Sequence, residues 1–262
     1  MQPNLHNLSW EVTFLKEPVF FTAGRTQALQ YAESILKEKD FRFASAPDFS
    51  VTHLLLGVPS FEPDGSLKGG GQLDDILPLL PLNVTVCGGM LKKGLPARYK
   101  TIDLLEDPLY IAENASITAH CALGLLMQKL PVTLYHCPVL VIGWGRIGKC
   151  LAQLLNNVGA LVTVAARKEQ DRAMLAALGY DAIDTQSLGN GLSRFRAIIN
   201  TAPVIVLPQE ELHDCPKDCV KIELASCLGI DAPDVIWARG LPNKDTPESS
   251  GQLIAKTILR LL

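Results

Sequence analysis

Short apolar runs alternate with amphipathic stretches along the first hundred residues of the chain. Four of these runs are brief and rich in branched or aromatic residues, which predicts β-strands at 19–21, 52–58, 83–87 and 99–103. Between the first two, apolar residues recur every three or four positions, which predicts a helix with one buried face formed by Leu29, Ala32, Ile35 and Leu36. Strands that alternate with helices are typical of a mostly parallel sheet covered on both faces, so we predict an α/β domain over 1–112.

A helical pattern then runs from 110 until Pro131 stops it, and we assign 113–131 as a helix that connects two domains. Apolar runs resume after it, which predicts a second α/β domain over 132–245. The polar stretch 240–252 predicts a loop after the last strand. The final segment, 246–262, begins with a candidate Thr246 cap and carries one apolar stripe. We expect this helix to dock on the N-terminal domain, giving two doubly wound α/β domains in all.

Composition limits the function classes without choosing among the rest. The 262 residues are 48% hydrophobic with a formal charge of −3, which suits two modest cores and gives no basic surface for nucleic acid. No apolar run is long enough to span a bilayer and no secretory leader pattern opens the chain, so we expect a cytoplasmic protein. Seven cysteines without a C-x-x-C pair, and histidines without metal-ligand spacing, predict reduced thiols and no metal.

The glycine motif at 143–148 carries the most chemistry. It follows the apolar run 139–142 and opens an amphipathic stretch, so it would form a strand, a tight turn and a helix. In that arrangement the first glycine permits the turn, the second lets a pyrophosphate approach, and the third lets helix and strand pack closely. The alternative is a glycine turn in a domain that binds no cofactor. The predicted cofactor-binding residues here are Gly143, Trp144, Gly145, Arg146, Ile147 and Gly148.

The next apolar run indicates which dinucleotide would bind. Enzymes that use NAD place an acidic residue about twenty positions after the first glycine, where it binds the ribose 2′-hydroxyl. This chain has Ala166 there, followed by Arg167 and Lys168. Two cations and no carboxylate favour the 2′-phosphate of NADP, with Arg167 as the bidentate partner. The alternative is a solvated basic pair at the start of a helix, where positive charge is mildly unfavourable.

Two further groups complete the candidate site. Thr201, Ala202 and Pro203 follow a later apolar run, and ligands of open α/β sheets bind outside the carboxyl ends of the strands, so we predict that these residues line the nicotinamide end. A simple turn ended by proline is the alternative. His120 lies on the connecting helix near the domain junction and is the candidate proton-transfer residue, although a lone histidine on a helix more often has a packing or capping role.

The motifs "VLVIGWGRIGK", "VTVAAR", "INTAP", "IELAS" and "GLP…SGQ", in that order, resemble the A-subunit family of dipicolinate synthase. The N-terminal half agrees more loosely, through "LLLGVPS", "LPLNVTVCGG" and "ENASITAHCAL". The glycine motif alone would also suit shikimate dehydrogenases and D-2-hydroxyacid dehydrogenases. The resemblance implies oxidation of a dihydrodipicolinate-type cyclic dicarboxylate to dipicolinate during sporulation. It also implies NADP as the hydride acceptor, a cytoplasmic location, and the B-subunit of dipicolinate synthase as partner.

A substrate with two carboxylates requires cations or helix N-termini aimed at it. The candidates are Arg25, Arg146 and the start of the connecting helix, with Asn114, Ser116 and Thr118. The resemblance would place a glutamate near 120 and an Arg-Pro pair at 227–228, whereas this chain has His120, Cys227 and Leu228. Two other functions therefore stay open: a dehydrogenase for another small acidic substrate, and a non-catalytic NADP-binding partner or sensor. The apolar C-terminal stripe would also suit a homo-oligomer.

Overall fold

A computed structural model describes residues 17–189 and 191–262, which build two parallel sheets. The first sheet has strand order β2-β1-β3-β4-β5, and every pairing in it is parallel. Its elements are β1 (Val19–Thr22), α1 (Gln27–Glu38), β2 (Arg42–Phe43), β3 (His53–Leu55), α2 (Leu73–Ile76), β4 (Thr85–Gly88) and β5 (Lys100–Asp103). Residues 1–16 of the predicted N-terminal domain lie outside the described residues.

The second sheet has strand order β11-β10-β9-β6-β7-β8 and is also entirely parallel. The order reverses between β6 and β9, which is where doubly wound sheets form a crevice outside the carboxyl ends of their strands. Its elements, after α3 (Pro108–Lys129), are β6 (Pro138–Ile142), α4 (Arg146–Asn157), β7 (Leu161–Ala165), α5 (Glu169–Ala177), β8 (Asp181–Ile183), β9 (Ala197–Asn200), β10 (Val220–Glu223), β11 (Ile236–Trp237), α6 (Leu241–Asp245) and α7 (Pro247–Leu261). The predicted fold class, two doubly wound α/β units, is confirmed.

The apolar runs form strands because both faces of these sheets are covered. From Val139 to Ile142 every side chain is fully buried, as expected for a central parallel strand of a sheet that is covered on both faces. One face of this sheet packs against α3 and α4 in a single core cluster. A separate cluster joins β1 and α1 to the apolar side of α7. Among residues 17–189 and 191–262, no helix is long and apolar enough to cross a membrane.

The connecting helix starts earlier than predicted. It begins at Pro108, and Asp107 caps it by accepting a hydrogen bond from the Tyr110 N–H at 2.7 Å. That bond, with further contributions from Arg260, holds the pKa of Asp107 below its usual range. Residues 114–118 therefore lie well inside the helix, where the backbone N–H groups are used in helical bonds. The expectation that 114–118 forms a helix N-terminus with free N–H groups is wrong.

Some short elements were not predicted from the sequence. β2 and β8 span two and three residues, which is too short to show a periodicity, and α5 was not predicted either. The stretch 240–252 was predicted as a loop, but α6 occupies its first part. The helix α7 then begins at Pro247, within the segment 246–262 that was predicted as helical, and Thr246 has the N-cap position without making a side-chain capping bond. The side chain of Leu241 is buried against the second sheet, so one apolar residue anchors α6 in a polar segment.

The C-terminal helix packs against α1 at very short range. A Cβ atom at Gly251 would lie 2.4 Å from the Tyr31 Cβ and 2.6 Å from the carbonyl oxygen of Ala28. Two ion pairs tie the same helix to α3: Lys256 with Glu113 at 2.8 Å, and Arg260 with Asp107. Both domains are therefore joined through α3 and α7, while the residue boundaries of the domains stay a prediction.

Gly251→Ala is expected to lower the free energy of unfolding by about 1–3 kcal/mol, because the added methyl group must push α7 away from the α1 backbone. Gly124→Ala, in α3, is the matched control, since a Cβ there meets no atom within 4 Å. Its expected effect is a gain of up to about 1 kcal/mol from reduced backbone entropy in the unfolded chain. Urea unfolding followed by circular dichroism measures both, and equal effects would contradict the close packing of α7.

Candidate functional site

The turn after β6 depends on two glycines. Gly143 has a φ of +103°, which side-chain-bearing residues rarely adopt, and its N–H donates to the Ala165 carbonyl at 2.9 Å. A Cβ at Gly148 would lie 2.1 Å from the Gly143 carbonyl oxygen, so only glycine lets α4 start this close to the strand. The first and third glycines of the motif thus have the packing roles that the sequence predicts for them, whatever the turn binds.

The second glycine faces open space. Gly145 is exposed and lies at the N-cap position of α4, and a Cβ there would meet no atom within 4 Å. In the described part of the chain no side chain caps this helix, and its first turn holds no acidic residue. Uncapped N–H groups at the positive end of a helix favour an anion. The turn therefore has the room and the donors that a pyrophosphate needs, with the exposed Arg146 beside it.

Trp144 and Ile147 are half-buried on either side of Gly145. The Trp144 ring makes an edge contact with Tyr180 at 6.0 Å between centroids, and the Lys149 ammonium lies 5.7 Å from it. Because the indole borders the uncapped helix start, its fluorescence is a usable reporter of ligand binding at the turn.

The carboxyl end of β7 presents two cations. Ala166 is buried, while Arg167 and Lys168 are exposed, and Lys168 borders a shallow surface depression. Arg172 fixes the backbone here, since its Nη1 donates to the carbonyl oxygens of Ala166 and Arg167, each at 2.8 Å. The same guanidinium pairs with Asp184 at 2.9 Å, so that carboxylate compensates Arg172.

The loop after β9 is tied to β6 across the switch point. The backbone N–H and the Oγ1 of Thr201 both donate to the Ile142 carbonyl, at 2.8 and 2.9 Å. Ala202 is half-buried and its N–H donates to Asn200 Oδ1, whereas Pro203 is exposed. The structure thus brings Thr201 and Ala202 next to the glycine turn, since a Cβ at Gly143 would lie 2.5 Å from Thr201 Oγ1.

Sequence reasoning missed a buried polar pair at this edge. Asn200 and Glu223 are the last residues of β9 and β10, both are fully buried, and Asn200 Nδ2 lies 2.9 Å from each oxygen of the Glu223 carboxylate. The available signal was a polar residue at the end of each of two short parallel strands, AIIN and VKIE, since such strands are expected to be mostly apolar.

A second close contact that involves a glycine lies in the N-terminal domain, between Arg25 and Gly69. The Arg25 N–H donates to the Gly69 carbonyl at 3.2 Å, and a Cβ at Gly69 would lie 2.3 Å from the Arg25 nitrogen. The Arg25 side chain is exposed just after the carboxyl end of β1. Asn243 Nδ2 donates to the Val58 carbonyl at 2.9 Å, and these residues follow β11 and β3. The carboxyl edges of the two sheets therefore adjoin.

On α3, the side chains of two candidates bond to the main-chain carbonyls of the other two. Thr118 Oγ1 donates to the Asn114 carbonyl at 2.7 Å, and His120 Nδ1 lies 2.9 Å from the Ser116 carbonyl. A carbonyl only accepts, so Nδ1 carries the proton in this bond and the neutral ring keeps a basic Nε2. His120 is exposed, and within residues 17–189 and 191–262 it makes no hydrogen bond to the glycine turn. Substrate binding and catalysis by these residues stay predictions.

Of the three positions at which the sequence departs from the pattern that the resemblance implies, Cys227 and Leu228 lie together, while His120 lies on α3. Cys227 and Leu228 are exposed in the loop after β10, between Ala225 and Gly229, whose N–H groups donate to Glu223. Cys227 and Leu228 therefore occupy the apex of a loop whose two ends are held by Glu223, at the same edge of the sheet as the glycine turn.

No protein-family model matches the chain. The curated dipicolinate synthase A-subunit of Bacillus subtilis (strain 168) is 27% identical over 174 residues, which are 63% of this chain and 59% of that protein. The crystal structure of the dipicolinate synthase A-subunit from Bacillus halodurans superposes with a TM-score of 0.80 at 20% identity, covering 94% of this chain and 97% of that one. The crystal structure of the corresponding chain from Bacillus subtilis gives a TM-score of 0.80 at 21% identity, covering 94% and 96%.

These comparisons confirm the resemblance that the motifs indicate. The sequence match covers less than two thirds of the curated relative, and the structural matches are too distant in sequence to show more than a shared fold. The shared fold extends over nearly the whole of both chains, so the N-terminal sheet, where the motifs agree only loosely, has the same architecture as in those structures.

Gly148→Ala is expected to cost about 1–3 kcal/mol of stability, since its methyl group would collide with the Gly143 carbonyl. Gly145→Ala is the matched control in the same turn and should change the free energy of unfolding by less than about 0.5 kcal/mol. Chemical denaturation of the two variants measures the difference. A Gly145 variant as unstable as the Gly148 variant would show that the space above the turn is filled.

Proposed function

We propose that the protein is an NADP-dependent oxidoreductase that converts a dihydrodipicolinate-type cyclic dicarboxylate to dipicolinate in the cytoplasm. The observation that carries the proposal is the glycine turn, which pairs an uncapped helix start with open space above Gly145 at the switch point of a Rossmann-type sheet. The likeness to the A-subunit of dipicolinate synthase supports the choice of substrate.

The choice of NADP rests on charge at the end of β7. The 2′-phosphate adds negative charge beside the adenosine ribose, and Arg167 and Lys168 are exposed there with the buried Ala166 in place of an acid. Because Arg172 is paired with Asp184, its charge is compensated while Arg167 offers a guanidinium fork to the ligand.

The main task of the protein in this reaction would be to position the substrate ring against the nicotinamide. A bound nicotinamide would supply the hydride acceptor, and formation of an aromatic ring drives the oxidation. Two arginines of this chain would hold the two carboxylates: Arg25, which follows β1 of the first sheet, and Arg146, at the start of α4. Both lie where the carboxyl edges of the two sheets adjoin. His120 Nε2 is the proposed acceptor of the proton that leaves the ring, since the tautomer set by Ser116 leaves it basic.

Two other functions remain in competition. The exposed apex at Cys227 and Leu228 lacks the arginine that the resemblance leads us to expect, which favours a dehydrogenase for another small acidic substrate. The exposed His120, at a position where the resemblance leads us to expect a glutamate, favours a non-catalytic NADP-binding partner or sensor. The proposed partners of the chain are the B-subunit of dipicolinate synthase, as the resemblance implies, and a second copy of the chain itself.

The proposal is tested with the purified full chain, NADP and freshly prepared dihydrodipicolinate, with and without the B-subunit. The expected result is a rise in absorbance of the reduced nicotinamide, strongest when the B-subunit is present. No reaction in either condition, while NADPH binds, would favour the non-catalytic function. Turnover of a different small acid alone would favour the other dehydrogenase.

Arg167→Ala is expected to weaken NADPH binding by roughly ten- to a hundredfold and to leave NADH binding unchanged, because one charged hydrogen-bond partner of the 2′-phosphate is lost. Trp144 fluorescence in a titration measures both affinities. Arg42→Ala, an exposed arginine on the first sheet, is the control and should change neither. Equal affinity of the unaltered protein for NADPH and NADH would show that the NADP assignment is wrong.

A further inference from the structure

Glu223 is a fully buried carboxylate with no ion-pair partner among the described residues. Burying a charge is costly unless hydrogen bonds compensate it. Here they do: Oε1 accepts from Asn200 Nδ2 and from the Ala225 N–H, and Oε2 accepts from Asn200 Nδ2 and from the Gly229 N–H, all at 2.8–2.9 Å. The burial of Glu223 calls for an explanation, and its hydrogen-bond partners identify the segments that it holds in place.

The carboxylate joins two loops at the carboxyl edge. Asn200 binds both the N–H and the carbonyl of Ala202, and so shapes the loop after β9. Ala225 and Gly229 are the two ends of the turn after β10. A Cβ at Gly229 would lie 2.3 Å from Asn200 Nδ2 and 2.5 Å from the Val204 carbonyl, so the loops touch without a gap. Displacing the carboxylate would move both loops at once.

Both loops lie on the half of the sheet that is away from Arg167. The strand order places β7 and β8 on one side of β6, and β9, β10 and β11 on the other. A dinucleotide lies across such a switch point, with one mononucleotide on each half. If Arg167 and Lys168 receive the adenosine 2′-phosphate, the loops held by Glu223 receive the nicotinamide half. Their exposed apolar side chains, Val204, Ile205 and Leu228, suit a flat aromatic ring.

We propose that Glu223, acting through Asn200, is a positioning residue that sets the nicotinamide end of the cofactor cleft. The proposal rests on the proposed NADP function and adds to it separate roles for the two halves of the cofactor cleft. Cations at the β7 end would bind the adenosine half, while one buried carboxylate would hold rigid the wall against which the other half lies. Glu223 itself would touch neither cofactor nor substrate, because its side chain is fully covered by the two loops.

Glu223→Gln tests this, because an amide must aim an N–H₂ group at a backbone N–H where the carboxylate accepted one. NADPH is compared with adenosine 2′,5′-bisphosphate, which carries the 2′-phosphate but has no nicotinamide half. We expect NADPH affinity to fall at least about tenfold while the bisphosphate stays within about twofold, since only one half of the cleft is disturbed. Arg167→Ala should weaken both ligands, which is the opposite pattern.

Two further variants keep the test decisive if the glutamine variant does not fold. Gly229→Ala keeps the glutamate but pushes the two loops apart and displaces Asn200, which binds the carboxylate, so it should give the same selective loss. Ile205→Ser changes a side chain that is 73% exposed, so folding is not at risk, and should also weaken NADPH alone. Asp231→Asn changes an exposed carboxylate just beyond the loop after β10, and it is the matched control. The affinities for both ligands should stay unchanged in this variant.

The outcomes separate this inference from the function on which it rests. If the unaltered protein binds neither ligand, the NADP function itself fails. If it binds both and the folded variants weaken both equally, with lower melting temperatures, Glu223 has only a structural role and the positioning proposal is overturned. If Ile205→Ser leaves NADPH affinity unchanged, the loop after β9 does not form the wall and the proposal is likewise overturned.

Discussion

The close approach of backbone at the switch point of the second sheet is the constraint on which the site depends. Gly148, in the first turn of α4, lies against the Gly143 carbonyl, and Thr201 bonds twice to Ile142, so the turn and the loop after β9 are fixed to one strand. Without that approach the helix start would not face the crevice. Gly145 then needs no packing role, and the space above it is free for a ligand.

The two sheets are connected by the helices α3 and α7, which contact each other and pack on different sheets. The α3 helix packs on the second sheet and receives ion pairs from α7, while α7 itself lies against α1 of the first sheet. The carboxyl edges adjoin where Asn243 binds Val58. A substrate held by Arg25 and a cofactor held at the glycine turn would therefore meet in a cleft whose geometry depends on these helix contacts.

Charge is distributed unevenly around the proposed cofactor cleft, and this asymmetry gives each half a separate task. Exposed cations follow β7, where a phosphate would be bound through solvent-accessible groups. A buried carboxylate lies at the ends of β9 and β10, where it binds only N–H donors of the protein and thereby fixes loops. Recognition on one side and rigidity on the other are what a hydride transfer requires, since the reacting atoms must be held in line.

The sequence by itself determined the α/β class, the glycine turn and the basic end of β7, because strand periodicity and glycine spacing are local properties. It could not show that α3 begins at Pro108, that α6 interrupts a polar stretch, or that Asn200 meets Glu223, 23 residues along the chain. Those depend on which segments the tertiary fold brings together. A polar residue at a strand end becomes a clamp only when parallel pairing sets a second one beside it, and that pairing is decided by the packing of the whole sheet.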